Sequence, residues 1–164
     1  MRYCPGRPLP PYRFLPGRDP HPTRDPAGHS YGRGETAASY VKAEDWDSNE
    51  DYLFGVDLYN EGFLWEAHEA WEGIWMAARG DELQATFLQG LIQCAAACLK
   101  IRMEQPRGLE RLGNLGAEKL ERVAEEASER FMGLAAGPFA EAFRAFLASC
   151  PDDIEVRPRI ELEG

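Results

Sequence analysis

A histidine and a glutamate four residues apart, set among tryptophans, are the densest concentration of chemistry in this 164-residue chain: Trp65-Glu66-Ala67-His68-Glu69-Ala70-Trp71-Glu72-Gly73-Ile74-Trp75. At about 100° per residue of an α-helix, Trp65, His68, Glu72 and Trp75 fall on one stripe. An imidazole and a carboxylate on one helical face are half of a divalent metal site. The same pair is also an oriented base, with the carboxylate fixing the tautomer of the ring. The repeated Glu-x-x-His of di-iron bundles and the paired histidines of metalloproteases are both missing. No nucleophile at a recognisable position completes a triad. Further metal ligands would have to come from the N-terminal segment, which holds His21, His29, Asp19 and Asp25.

The second half of a polar cluster is expected from Gln89 and Gln93. They are the strongly polar side chains of an otherwise apolar run, Phe87 to Leu99, and they share a face. A buried amide without a partner costs about 1–3 kcal/mol, so antiparallel packing of the two helices should join them to His68 and Glu72, with Trp65 and Trp75 as walls. Glu66, Glu69 and Gly73 are expected to point away from the core, and Trp71 into it.

The elements that must position these groups read as helical. Helices are expected over about 48–59 (capped by Asp47 or Ser48), 63–78, 82–103 and 109–132, with a short fifth helix opening at Gly137-Pro138. Gln105-Pro106-Arg107-Gly108 reads as a break. The fold class expected is all-α: a compact bundle of about five helices with an extended Pro-rich N-terminal arm and an irregular C-terminal tail. The organisation expected is an arm over 1–42 packing on the body, a helical domain over 43–150, and an extended tail over 151–164. Eight prolines between Pro5 and Pro26 forbid regular structure in the arm, but its interleaved Tyr3, Tyr12, Phe14 and Tyr31 give it a reason to lie on a surface.

Charge is divided. Residues 1–42 carry seven basic and three acidic side chains, while the rest carries eleven basic and twenty-five acidic ones. A basic arm and an acidic body attract each other, within one molecule or across a homodimer. The overall charge of -10 argues against a nucleic-acid surface. No secretory signal and no membrane span is expected, and Cys4, Cys94, Cys98 and Cys150 have neither zinc-ribbon nor disulfide-framework spacing, so reduced cytoplasm is the expected location.

Tyr59-Asn60-x-Gly62, His68-x-x-x-Glu72-x-x-Trp75 and Phe87-Leu88-Gln89-Gly90-Leu91-Ile92-Gln93-x-Ala95-Ala96-Ala97 together resemble the domain of unknown function 309 family, over roughly residues 50–120. That resemblance implies a small helical protein without an established activity, whose His-x-x-x-Glu motif is a suggested metal site; here it would carry onto His68 and Glu72. Where relatives have a histidine past the Gln93 position this chain has Lys100, and His21 on the arm would be the substitute. Three functions follow as expectations: a metal- or small-ligand-binding site, an interaction module in which the cluster is a satisfied core network, or a metal-dependent hydrolase. Catalytic residues, substrate and the identity of the metal are left open.

Overall fold

The computed structural model describes residues 1–34 and 37–164. Among the described residues there are five α-helices and no strand. The helices are α1 (Glu50–Asn60), α2 (Leu64–Ala77), α3 (Glu82–Arg102), α4 (Pro106–Glu126) and α5 (Ala136–Ala148). Short 3-10 segments precede α1 (Ala43–Ser48) and follow α5 (Ile154–Val156). The architecture is the all-α bundle that the apolar periodicity predicts. None of the helices is long and apolar enough to cross a membrane, among the described residues.

Three of the helix starts have a local cause. Asn49, not Asp47 or Ser48, caps α1, its side chain accepting the Tyr52 N–H at 3.2 Å. Asp81 does the same for α3 through Gln84 N–H. Pro106, read above as part of a break, is instead the first residue of α4, where a missing N–H costs nothing. At its other end α4 stops at Glu126 rather than 132. The segment beyond it folds back through a Phe131–Leu134 bridge, and buried Met132 sits at φ 47°.

The core is aromatic at one end and small at the other. Trp71 is fully buried against α1, and its indole N–H donates to Tyr52 O at 3.3 Å. Gly55 makes that approach fit, because a Cβ there would lie 2.2 Å from Trp71 Nε1. α3 and α4 cross at Gly90 and Gly116, where a Cβ on Gly116 would meet Gly90 O at 2.9 Å. Cys94 and Cys98 are wholly buried on α3, and burial pushes the Cys98 thiol up to about 12, so both serve as small apolar groups.

The C-terminal tail closes the end of α1. Arg157, buried, donates to the Tyr59 and Asn60 carbonyls (2.6 and 2.9 Å) and to Ile154 O (2.7 Å). The Asn60 amide pairs with both the N–H and the C=O of Ile160 at 2.9 Å. Carbonyls that the last turn of a helix leaves without partners are thereby satisfied from the tail.

Two glycines one helix apart should respond in opposite ways. Gly55→Ala forces a methyl into the Trp71 indole and should destabilise by about 3 kcal/mol. Gly73→Ala, exposed with open space around its added Cβ, should stabilise by about 0.5–1 kcal/mol through helix propensity. Urea denaturation of both variants checks the pair.

Candidate functional site

α2 carries four polar side chains over less than two turns, and the structure sends them to two different places. His68, Glu69 and Glu72 stand on the outer surface. His68 Nδ1 lies 3.6 Å from Glu69 Oε1, and His68 Nε2 lies 3.6 Å from Glu72 Oε2, with side-chain exposures of 26, 46 and 47%. One ligand atom from each falls within 4.8 Å of the other two. The two carboxylates thus flank opposite nitrogens of one ring. A single ion takes one ring nitrogen, and the other carboxylate is placed to accept the remaining N–H.

Glu66 goes the other way. Expected on the outward face, it is buried at 6% exposure, because the N-terminal arm crosses over it. Its Oε1 accepts the Phe14 backbone N–H at 2.8 Å and faces His29 Nε2 at 3.2 Å. Its Oε2 has no hydrogen-bond partner among the described residues. Asp57 on α1, 1% exposed, is a second buried anchor for the arm: it accepts Tyr3 N–H at 2.7 Å and Cys4 N–H at 2.8 Å, with Arg2 Nε at 3.5 Å. Neither carboxylate stands out in the sequence. The usable signal was only general: an arm rich in N–H groups without regular structure needs acceptors on the body.

The remaining expected members of the cluster disperse. Gln93 turns to α4, where its Oε1 accepts from Lys119 Nζ at 2.8 Å, and both Gln89 and Gln93 are only half-buried. The premise of two buried amides seeking partners on α2 therefore fails; α3 shows these residues to the neighbouring helix and to water. The buried amide of α3 is Gln84 at its first turn, donating to Val41 O at 3.1 Å. Trp65 packs edge-on against Phe14 and His21 of the arm (5.1 and 5.5 Å between ring centres). His21 thus sits on the Trp65 ring, its Nδ1 facing the backbone N–H groups of Thr23 and Arg24, outside the His68–Glu69–Glu72 group. Trp75 meets the Arg79 guanidinium at 5.8 Å.

Between the arm and the α1–α2 face lies a cavity of about 900 Å³. Leu9, Phe54, Leu58 and Met76 give it apolar walls, Arg7 and Arg33 its basic groups, and Glu66, Glu69 and Glu72 its acidic edge. Arg7 is held there by Asp51 at 2.8 Å and by the Phe54 ring at 4.1 Å.

A compact helical domain with a surface His/Glu group is the class these features define. The family model described as a domain of unknown function (DUF309) matches residues 52–112. The match supports the resemblance drawn from the motif, and the matched segment runs from the first turn of α1 through α2 and α3 into the start of α4. No curated protein and no solved structure matches the chain.

The arm should depend on its anchor more than on its own sequence. Asp57→Ala orphans two backbone N–H groups and the Arg2 guanidinium, and should cost about 3 kcal/mol. Tryptic cleavage after Arg2, beside the Asp57-bound Tyr3 and Cys4, should accelerate in the same variant, read by mass spectrometry of a limited digest.

Proposed function

We propose that the protein binds a divalent transition metal on the outer face of α2, with His68 Nε2 and Glu72 as protein ligands and Glu69 accepting the Nδ1–H to orient the ring. The observation that supports it is the convergence of three ligand atoms within 4.8 Å on one rigid helix. Imidazole with carboxylate oxygen suits zinc, iron, manganese or nickel rather than calcium or magnesium. When bound with open positions, such an ion supplies Lewis acidity or an acidified water. This chain's own part is to fix the ring, hold the carboxylates and border the cavity with them.

The exposure of the group weighs against a core network that fixes helix register. At 3.6 Å the His68–Glu72 pair is a surface ion pair, worth about 0.3–0.5 kcal/mol when the ring is protonated. His68→Ala should therefore leave the melting temperature of metal-free protein within about 1–2 °C of wild type. Elemental analysis of untagged protein should find zinc, iron, manganese or nickel in the wild type and not in His68→Ala. Added zinc should raise the wild-type melting temperature only. Equal metal content in both proteins, or a clear loss of metal-free stability in the variant, would hand the motif to a structural role.

A further inference from the structure

We propose that Ser30, His29 and Glu66 form a nucleophilic relay on the wall of the arm–α2 cavity, one that cleaves carboxylic esters independently of metal. Ser30 Oγ lies 2.7 Å from His29 Nδ1, and His29 Nε2 lies 3.2 Å from Glu66 Oε1. All three residues line the same cavity of about 900 Å³. Ser30 and His29 lie outside the matched family segment, and Glu66 lies within it.

Hydrogen-bond direction follows from the chemistry of the three groups. An ionised carboxylate only accepts, so the proton between His29 and Glu66 belongs to Nε2. The neutral ring then offers a lone pair at Nδ1, and the Ser30 hydroxyl donates to it. These are the roles of nucleophile, base and orienting acid, with the two ring nitrogens exchanged relative to the usual order; such a constellation is defined by geometry and roles.

The ring is held for this task. Its side chain is 4% exposed and packs against the Tyr12 ring at a tilt of 57°, with 4.7 Å between ring centres. His29 N–H donates to Tyr12 Oη at 3.0 Å, and Ser30 N–H donates to Pro22 O at 2.9 Å. Gly28 lets the loop close, since a Cβ there would lie 2.2 Å from His21 O. Glu66 keeps Oε2 buried without a hydrogen bond among the described residues, which leaves its negative charge under-compensated. Such a carboxylate gains most when positive charge develops on the ring beside it.

In the reaction, Ser30 Oγ attacks the ester carbonyl carbon while its proton moves to His29 Nδ1. Glu66 stabilises the imidazolium through Nε2–H. Arg33, which lines the cavity three residues on, is the donor for charge developing on the carbonyl oxygen. The C–O bond to the alcohol breaks as His29 Nδ1 returns the proton to the leaving oxygen. Water then attacks the acyl-serine, passing its proton through His29 to Ser30 Oγ and releasing the carboxylic acid. The apolar walls fit an acyl chain of modest length.

A fluorophosphonate probe added to the intact protein should lose its fluoride as the P–O bond to Ser30 forms, leaving one phosphonyl adduct in the tryptic peptide 25–33. Turnover of p-nitrophenyl butyrate should fall at least about 100-fold in Ser30→Ala. It should persist in EDTA, which separates it from the metal reading. Ser30 is half-buried, so Ser30→Ala should melt with the wild type. As a second handle, the thiol introduced by Ser30→Cys should be alkylated by iodoacetamide faster than exposed Cys150 of the same chain. Adducts scattered over other residues, ester cleavage equal in Ser30→Ala, or alkylation no faster than at Cys150 would each overturn the relay.

Discussion

Acceptors for an irregular chain are the constraint on which this structure depends. The first 34 residues form no regular secondary structure, so their backbone N–H groups cannot satisfy one another in a helix or a ladder. They reach the body only where the body offers buried acceptors, and the main ones are two carboxylates. Asp57 takes Tyr3 and Cys4, and Glu66 takes Phe14 and faces His29. A carboxylate in an apolar interior is costly alone and favourable when several N–H groups converge on it. Each half of the contact therefore exists because of the other. The cavity follows from it as well, since it is the space left between an arm held at those points and the helices beneath.

α1 consequently carries more than its eleven residues suggest. Its middle anchors the N-terminal arm through Asp57, and its last turn is closed from the C-terminal side by Arg157 and by Ile160, which pairs with the Asn60 amide. One further contact ties the two ends of the chain together: Tyr3 Oη accepts the Leu162 N–H at 2.7 Å. Gly55, two residues before Asp57, lets α2 approach closely enough for Trp71 to fill the space beneath. Chain ends that composition describes as loose are in this way part of the same packing unit as the buried aromatic core.

The helices were legible in the sequence because apolar spacing is a local signal, and so was the His68–Glu72 stripe, which depends only on helical geometry. What could not be read was which polar residue meets which partner across the fold. Glu66 looks solvent-facing on a helical wheel, and nothing local says that Phe14 and His29 will cover it. Gln93 looks like a partner for α2 until α4 packs on α3 and brings Lys119 to it. Ser30 and His29 are an unremarkable dipeptide in a Pro-rich stretch; their meaning depends on a residue thirty-six positions beyond Ser30. Pro106 shows a smaller version of the same ambiguity, since one residue type both ends and begins helices.

Function divides along the faces of α2. Successive turns carry Glu66 inward beneath the arm and Glu69 and Glu72 outward, yet all three border one cavity. The inward carboxylate is desolvated and held by donors, so its charge is directed at the His29 ring and little screened. The outward pair is wet, and solvent and salt screen its charge. The basic arm follows the same logic. Its excess of positive charge lies over an acidic helix, with Arg7 and Arg33 on the cavity wall opposite those carboxylates. An anionic or carbonyl-bearing group entering between them would meet cationic donors and the His29 imidazole on the arm side. The shape of the cavity is set by the apolar walls, but which end of a ligand enters first is set by that charge division.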